Sequence, residues 1–203
     1  MKIFCIGRNY INHAKELGNE VPTEPLIFMK PPTALLINNK PFYYPDFTKK
    51  IHYECELVVK IGRNGKNIDE KFAHTYIKEI SLGIDFTARD IQEKLKAKGH
   101  PWEIAKGFNG SAVIGNFTSA DKFKDVNNIN FHLLLNNNKV QLANTKEMIF
   151  KVEKLITHIS KYFLIHQGDY IYTGTPAGVG EIKIGDKLEG FIEEEKIFQC
   201  RIK

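Results

Sequence analysis

The sequence has few cysteines, few arginines and no long apolar run. Its three cysteines, Cys5, Cys55 and Cys200, are an odd number without paired spacing, which argues against a disulfide framework and against a zinc knuckle. Only four of the 29 basic residues are arginine, and the lysines are scattered, so we expect no nucleic-acid partner. No apolar run approaches the length needed to cross a membrane, and we expect no membrane partner.

The N-terminal residues pass from the short apolar patch Ile3–Ile6 directly into Gly7 and Arg8. This pattern leaves no room for the apolar core of a signal peptide, so we expect a cytoplasmic protein with reduced thiols. The 203 residues are 42% hydrophobic and 26% charged, and they show neither an internal repeat nor a break in composition. These features predict a single globular domain over residues 1–203.

Short strands outnumber helices in the predicted secondary structure. Six prolines between positions 22 and 45 argue against any long regular element in that region. The helices do not alternate regularly with the strands, so the pattern favours a β-rich α+β fold over a doubly wound sheet. The predicted strands are Lys2–Ile6, Ile51–Ile61, Lys78–Asp85, Ser111–Asn116, Ile129–Leu135, Asp169–Thr173, Lys187–Glu194 and Lys196–Ile202.

Three helices are predicted. A short one covers Tyr10–Leu17, and a second covers Thr87–Lys98 and stops at Gly99-His100-Pro101. The third, Thr145–Phe163, carries an amphipathic stripe, and Asn144 with Glu147 has the spacing of a capping box at its start.

The predicted strand Ile51–Ile61 contains the strongest candidate for a metal site. Strict alternation places Glu54 and Glu56 side by side on one face, about 6.6 Å apart at the rise of a strand. At an effective dielectric of about 20 their repulsion costs about 2.5 kcal/mol, so a cation between them would be favourable. The alternative is a solvent-facing strand edge.

Asp85 is a third candidate ligand, because it ends an apolar strand and precedes a helix. Three carboxylates without histidine or thiolate favour a hard divalent ion, Mg²⁺ first, with Mn²⁺ or Ca²⁺ as substitutes. Arg89 and Gln92 follow Asp85 by four and seven residues, so all three point the same way if the helix begins nearby. Such a group could hold a cation and an anionic ligand, although a solvated helix surface has the same residue types.

Two further patterns are candidates for binding or catalysis. His13 and Glu16 are three residues apart on a helix and can contact each other, which suits a general base acting on water; an incidental surface pair is the alternative. The turn Thr173–Gly180 is rich in glycine, and its amides and hydroxyls could bind a carboxylate, unless it is a plain turn. It lacks the Lys-Ser/Thr pair of a nucleotide P-loop, and no helix follows, so nucleotide binding is not indicated.

Six short motifs follow one another from one end of the chain to the other. They are Gly7-Arg8-Asn9-Tyr10-x-x-His13-Ala14-x-Glu16-Leu17, Phe28-x-Lys30-Pro31, His52-x-Glu54-x-Glu56-Leu57, Gly83-x-Asp85-x-Thr87-x-Arg89-Asp90-x-Gln92, Pro101-Trp102-x-x-Ala105-Lys106-Gly107 and Thr173-Gly174-Thr175-Pro176-Ala177-Gly178. Their joint order resembles the fumarylacetoacetate hydrolase family, and most of all its short, single-domain acylpyruvase and oxaloacetate decarboxylase-like branch.

The resemblance implies a mixed β-roll or sandwich of the family's C-terminal-domain type with a few flanking helices. It also implies a homodimer, and a Mg²⁺-dependent site for a small 2-oxo acid. By position, the metal ligands would be Glu54, Glu56 and Asp85, the catalytic residues His13, Glu16 and Lys106, and the substrate-binding residues Arg8, Lys30, Arg89, Gln92 and Thr175.

The sequence departs from the family pattern at two positions. Neither carries a named role, so both bear on the substrate preference rather than on the chemistry. Pro32 stands where a small residue such as serine is expected, and Asn109 stands where many relatives carry aspartate.

The implied activity is hydrolysis of the C–C bond of acylpyruvates to pyruvate and a carboxylate through an enolate of pyruvate. Decarboxylation of oxaloacetate reaches the same enolate without water. Two alternatives stay open: an isomerase or decarboxylase of the 2-hydroxyhepta-2,4-diene-1,7-dioate type from aromatic degradation, and a non-catalytic metal-binding module. The His13–Glu16 pair favours hydrolysis, because isomerisation has less need of an activated water.

Overall fold

Strands dominate the computed structural model, which describes residues 1–16, 18 and 20–203. Within these residues the strands are β1 (Ile3–Gly7), β2 (Leu26–Lys30), β3 (Leu35–Leu36), β4 (Ile51–Tyr53), β5 (Cys55–Ile61), β6 (Ile77–Asp85), β7 (Thr87–Ala88), β8 (Ala112–Ile114), β9 (Thr118–Ser119), β10 (Asn130–Leu135), β11 (Asn138–Asn144), β12 (Tyr170–Tyr172), β13 (Gly180–Glu181), β14 (Lys187–Ile192) and β15 (Glu195–Arg201).

Three sheets form from these strands. The largest has eight strands in the order β2-β1-β12-β5-β6-β8-β3, with β9 added beside β6; the pairs β1/β12 and β3/β8 are parallel and the others antiparallel. A four-stranded sheet has the order β11-β10-β14-β15, and a three-stranded sheet has the order β13-β4-β7. The predicted β-rich α+β class is confirmed.

The helices are few and short. They are α1 (Ile11–Glu16), α2 (Glu70–Ala73), α3 (Arg89–Ala97), α4 (Glu103–Lys106) and α5 (Val152–Tyr162), with 3₁₀ turns at Pro32–Ala34, His74–Tyr76, Ala120–Lys122 and Thr145–Glu147. Among the described residues, no helix is long and apolar enough to span a membrane. The helix predicted over Tyr10–Leu17 corresponds to α1, and Leu17 itself lies outside the described residues.

The core runs along both faces of the central strand β5. Glu56 and Val58 are as completely buried as Leu57 and Val59, whose side chains alternate with them. The sequence pattern predicted one polar face, but the burial of these four side chains shows that β5 is covered on both faces. Glu56 therefore does not belong to a solvent-facing edge.

The strand predicted over Ile51–Ile61 is interrupted at Glu54. The part before the break, β4, joins the three-stranded sheet, whereas β5 joins the large one. At the break, the Asp85 amide donates a hydrogen bond to the Glu54 carbonyl oxygen over 2.8 Å. Glu54 therefore sits where two sheets meet, beside the end of β6.

The predicted helix Thr87–Lys98 begins two residues later than expected. Thr87 and Ala88 form β7 and pair with His52 and Ile51 of β4. The predicted stop is confirmed: Gly99 has a φ of +64° and its amide donates to the Lys96 carbonyl oxygen over 3.1 Å. A left-handed residue at this position is typical of a helix end.

The predicted helix Thr145–Phe163 is divided. Asn144 and Glu147 do form a capping box, but it caps the 3₁₀ turn rather than α5, which begins at Val152. Between the two elements, the Phe150 amide donates to Asn9 Oδ1 and the Ile149 amide to the Asn9 carbonyl oxygen, each over 2.8 Å. This tertiary contact replaces helical hydrogen bonds, which explains why local spacing predicted the wrong boundary.

Candidate active site

Three carboxylates meet at the ends of neighbouring strands. Glu54 lies between β4 and β5, Glu56 is the second residue of β5, and Asp85 is the last residue of β6. Pairing of β5 with β6 brings oxygens of all three within 4.8 Å of one another, and all three residues are buried. Oxygens on opposite sides of a divalent ion are about 4–5 Å apart, so this all-carboxylate set fits a hard cation such as Mg²⁺, Mn²⁺ or Ca²⁺.

Three cationic side chains balance these carboxylates. Lys106 Nζ lies 2.8 Å from Glu54 Oε2 and 2.7 Å from Asp85 Oδ2. Arg89 pairs with the other oxygen of Glu54, and Lys30 Nζ lies 2.7 Å from Asp85 Oδ1. The three cationic groups equal the carboxylates in number, so a divalent ion bound to all three in ionised form would leave the group with an excess of two positive charges. That excess suits an anionic ligand.

The pKa values of the carboxyls differ because their neighbours differ. Burial, followed by the charges of Asp85 and Glu54, raises the pKa of Glu56 well above its usual value. Burial would also raise the pKa of Glu54, but Lys106 and Arg89 outweigh it and hold that pKa below its usual range. Burial tends to lower the pKa of Lys106, yet Asp85 and Glu54 raise it overall, so Lys106 stays charged. Glu56 is therefore the carboxyl whose ionised form a nearby cation would stabilise most.

One cleft brings most of the predicted site together. Eight of the eleven predicted site residues line it, namely Arg8, His13, Glu54, Glu56, Arg89, Gln92, Lys106 and Thr175. Phe28 and Trp102 form an apolar wall, with ring centroids 5.8 Å apart in an edge-to-face arrangement. The cleft is thus strongly charged at its base and apolar on one side.

His13 and Glu16 contact each other at this cleft. His13 Nδ1 lies 3.4 Å from Glu16 Oε2, and the His13 residue is buried. Burial lowers the pKa of His13 below 6.5, although Glu54 and Glu16 oppose the shift. The imidazole is therefore neutral near pH 7, which is the form a general base requires.

Glu16 also anchors α1 to the loop that follows β12. The Gly178 amide lies 3.2 Å from both carboxylate oxygens of Glu16. Gly178 has a φ of +94°, and a Cβ there would lie 2.4 Å from the Val140 carbonyl oxygen, so only glycine fits. The glycine-rich turn and the short helix form one side of the cleft.

Lys30 was expected to contact substrate, but the structure places its side chain away from the cleft. Its side chain is fully buried behind Asp85 and does not line the cleft. Nζ donates to the carbonyl oxygens of Lys106, Phe86 and Ser111, the last two over 3.3 and 3.1 Å. The structure thus gives Lys30 other partners than substrate, because the ammonium contacts Asp85 and three backbone carbonyls.

Thr175 lines the cleft, but its hydroxyl is engaged. Oγ1 donates to the Cys55 carbonyl oxygen and accepts from Gln141 Nε2, each over 2.9 Å. Gln141 was not predicted; its side chain also accepts from the Cys55 amide over 3.0 Å. It ties the start of β5 to the glycine-rich turn. Its position on β11, a strand that was also missed, carried no local signal for this role.

Lys96 lines the cleft and was not predicted as a site residue. It follows Gln92 by four residues and Arg89 by seven on α3, so the helical spacing that linked those two also includes Lys96. The sequence therefore carried a local signal for Lys96, in the spacing of polar residues along this helix.

Comparison with known proteins shows that the chain is an enzyme and gives its family. Residues 2–203 match the family model described as fumarylacetoacetate (FAA) hydrolase C-terminal, and the chain belongs to the fumarylacetoacetate hydrolase family. The predicted family resemblance is confirmed. Family membership also sets aside the alternative of a non-catalytic module.

Two relatives and two solved structures illustrate the range of activities. The chain is 42% identical over 189 residues to the mitochondrial oxaloacetate decarboxylase of Dictyostelium discoideum, covering 93% of this chain and 87% of the relative. It is 42% identical over 187 residues to the mitochondrial oxaloacetate tautomerase FAHD1 of Arabidopsis thaliana, covering 92% and 84%.

The fumarylpyruvate hydrolase of Pseudomonas aeruginosa, solved with Mn²⁺ and pyruvate, superposes with a TM-score of 0.95 at 32% identity, covering 100% of this chain and 89% of that one. The 5-carboxymethyl-2-hydroxymuconate delta-isomerase of Mycobacterium smegmatis gives a TM-score of 0.88 at 31% identity, covering 99% and 78%. Hydrolysis, decarboxylation, tautomerisation and isomerisation thus all occur among similar proteins.

Proposed function

We propose that the protein, as one catalytic domain of residues 1–203, is a Mg²⁺-dependent hydrolase of acylpyruvates that also decarboxylates oxaloacetate. The observation that carries this proposal is the His13–Glu16 pair at the same cleft as the three carboxylates. A similar protein binds Mn²⁺ and pyruvate, which supports a divalent ion and a pyruvate-like ligand here.

In this proposal Glu54, Glu56 and Asp85 hold Mg²⁺, with Mn²⁺ or Ca²⁺ as substitutes. A bound divalent ion would act as a Lewis acid toward negative charge on the 2-oxo oxygen of the substrate. Lys106, which stays charged despite its burial, adds positive potential at the same place.

The remaining polar residues of the cleft would bind the substrate. Arg8, with Lys106 and Thr175, contacts the keto-acid end, whereas Arg89 and Gln92 position the rest of the molecule. Because the Arg89 guanidinium is already bound to Glu54 and to Gln92 Oε1, it presents a fixed surface rather than a mobile side chain.

His13 would act as the general base. With Nδ1–H donating to Glu16, the lone pair on Nε2 accepts a proton from water. The water oxygen forms a bond to the distal carbonyl carbon, and cleavage of the C–C bond leaves its electron pair on the enolate of pyruvate. Return of a proton to C3 gives pyruvate, and the other product is the carboxylic acid.

Oxaloacetate is the second candidate substrate, and the names of the two relatives favour it. Loss of CO₂ leaves the same enolate without water, and movement of a proton at C3 alone would interconvert the keto and enol forms. The dienedioate isomerase alternative keeps the same enolate chemistry, and the similar muconate isomerase supports it.

A turnover assay with Mg²⁺ tests the proposal on acetylpyruvate, oxaloacetate and a dienedioate. We expect Glu54→Gln to abolish every activity. We expect His13→Ala to lower acetylpyruvate hydrolysis by about 10²–10⁴-fold and oxaloacetate decarboxylation far less. His74→Ala, at an exposed position, is the matched control. Equal losses of both activities in His13→Ala would contradict the role given to His13.

We also propose a cytoplasmic homodimer, as the sequence led us to expect. Exposed Tyr43, Phe47 and Ile104 lie around Phe108 and form an apolar surface that a second copy could cover. Sedimentation equilibrium tests the dimer. The eukaryotic relatives are named mitochondrial, so fractionation of the source cells is needed to test the location.

A further inference from the structure

Two asparagines of the chain are directly followed by glycine, and they differ in how firmly the structure holds them. Asn64–Gly65 follows β5, and Asn109–Gly110 lies between α4 and β8. In such a pair the glycine amide nitrogen can attack the side-chain carbonyl of the asparagine, because glycine has no side chain to hinder the approach. The rate of this attack in a folded protein depends on how easily the two residues move locally.

Asn64–Gly65 is held at both residues. Asn64 Oδ1 accepts a hydrogen bond from the Gln167 amide over 2.8 Å. The Gly65 amide donates to the Ile165 carbonyl oxygen, and the Gly65 carbonyl oxygen accepts from the Ile165 amide, each over 2.9 Å. Attack by the Gly65 nitrogen on the Asn64 side chain therefore requires at least the first two of these hydrogen bonds to break.

Asn109–Gly110 is held less firmly, and Asn109 is exposed. Over residues 1–16, 18 and 20–203, no hydrogen bond engages the Asn109 side chain or the Gly110 amide. The pair forms the centre of a turn that the Ser111 amide closes by donating to the Phe108 carbonyl oxygen over 3.1 Å. Gly110 has a φ of +76°, as in the third position of a type II turn.

Rotation of the central peptide interconverts type II and type I turns, and glycine tolerates both conformations. The peptide that joins Asn109 to Gly110 can therefore rotate while the closing hydrogen bond of the turn stays in place. This rotation changes the direction from which the Gly110 nitrogen faces Asn109 Cγ, and no hydrogen bond of that nitrogen opposes it in the described part of the chain.

The turn leads directly to the residue that holds Lys30. The carbonyl oxygen and the hydroxyl of Ser111 accept hydrogen bonds from Lys30 Nζ over 3.1 and 3.0 Å. The same carbonyl oxygen accepts from the Phe86 amide over 2.8 Å. A change in the length of the main chain at position 109 would displace Ser111 and would thereby disturb Lys30, which pairs with Asp85.

We infer that Asn109 is a site of spontaneous deamidation, and that its isoaspartyl product destabilises the protein by displacing Ser111. In the first step the Gly110 nitrogen forms a bond to Asn109 Cγ and loses its proton, and the side-chain nitrogen leaves as ammonia. Water then opens the cyclic imide at one of two bonds. Cleavage of the new bond to Cγ gives aspartate, and cleavage of the original bond to the main-chain carbonyl carbon gives isoaspartate.

The overall change is asparagine plus water to aspartate or isoaspartate plus ammonia. Aspartate keeps the length of the main chain, whereas isoaspartate adds one methylene carbon to it. The two products therefore carry the same charge but differ in their effect on the turn. The inference does not depend on the proposed activity.

The first test follows the full-length protein during incubation at neutral pH and physiological temperature. Peptide mapping by mass spectrometry measures the conversion at each asparagine, with Asn64 as the internal control, and electron-transfer fragmentation separates isoaspartate from aspartate. We expect Asn109 to react at least about tenfold faster than Asn64. This factor corresponds to about 1.4 kcal/mol, within the range of the net contribution of two hydrogen bonds.

The second test compares thermal melting of fresh and incubated protein. Incubated wild-type protein should show an additional transition at lower temperature that grows with the isoaspartyl fraction. Incubated Asn109→Ser, which cannot form the imide at this position, should show none. Fresh Asn109→Asp carries the charge of the product without the longer main chain, and it should melt within about 2 °C of fresh wild-type protein.

Each part of the inference has its own contradicting result. Conversion at Asn64 that is as fast as at Asn109, or an Asn109 that stays unconverted, would overturn the modification site. An additional transition of equal size in incubated Asn109→Ser, or an isoaspartyl form that melts with the fresh protein, would overturn the effect assigned to the displacement of Ser111.

Discussion

Lys30 Nζ lies 2.7 Å from Asp85 Oδ1, and both side chains are completely buried. The same ammonium donates to the backbone carbonyl oxygens of Phe86, between β6 and β7, of Lys106, at the end of α4, and of Ser111, just before β8. Lys30 thus holds Asp85 in place and joins the segments around it, including the one that carries Lys106. A buried cation of this kind stabilises the arrangement of the site rather than acting on substrate.

Replacing Lys30 should destabilise the protein strongly. We expect Lys30→Met to lower the free energy of unfolding by about 3 kcal/mol, because Asp85 loses a buried partner while methionine keeps most of the volume. Urea denaturation measures the change. The control is Lys60→Met, whose partner Glu79 also lies at 2.7 Å but whose side chain is 28% exposed, so its loss should cost less than about 1 kcal/mol. Equal losses in the two variants would contradict the role of Lys30.

Asn9 should be equally important to stability, although it lies outside every predicted catalytic role. It is fully buried, accepts from the Phe150 amide and donates to the carbonyl oxygens of Phe150 and Thr173 over 3.0 and 2.8 Å. We expect Asn9→Ala to cost about 3 kcal/mol in urea denaturation, because several backbone groups lose their partner. Asn12→Ala, at an exposed position on α1, is the control and should cost less than about 0.5 kcal/mol. A small effect in both variants would show that water replaces Asn9.

The sequence predicted most of the site because its residues are close along the chain or carried by motifs. Glu54 and Glu56 are two residues apart, Arg89 and Gln92 share a helix face, and the shared order of motifs brought in Lys106 and Thr175. Tertiary contacts were not predictable in this way. The burial of Lys30, the Gln141 side chain between β5 and the glycine-rich turn, and the division of the 145–163 segment by Asn9 each depend on residues far apart in sequence.

The same limit applies to the strands. Alternation in Ile51–Ile61 placed Glu56 and Val58 on one face, and the structure agrees with that placement. Alternation could not show that this face is also covered, because coverage depends on how the sheets and helices pack around β5.

Hydrolysis should depend on pH through His13. Burial lowers the pKa of His13 below 6.5, and the neutral form that accepts a proton exists above that pKa. The rate of acetylpyruvate hydrolysis should therefore be constant near neutrality and fall only as the pH drops through a value below 6.5. Measurement of kcat against pH at saturating Mg²⁺ checks this midpoint. A midpoint above 6.5, or the same acid limb in His13→Ala, would mean that another group is the base.

The central claim is that Glu54, Glu56 and Asp85 bind a divalent ion which, in turn, binds the keto-acid end of the substrate. Oxalate resembles the enolate of pyruvate, so its effect on the melting temperature tests the claim directly. At about 100-fold excess over Kd, oxalate should raise the melting temperature by about 5 °C or more with Mg²⁺ present, and by less than about 1 °C in EDTA. In Glu56→Gln the Mg²⁺-dependent shift should disappear. A shift of equal size in EDTA, or one that persists in Glu56→Gln, would contradict the account.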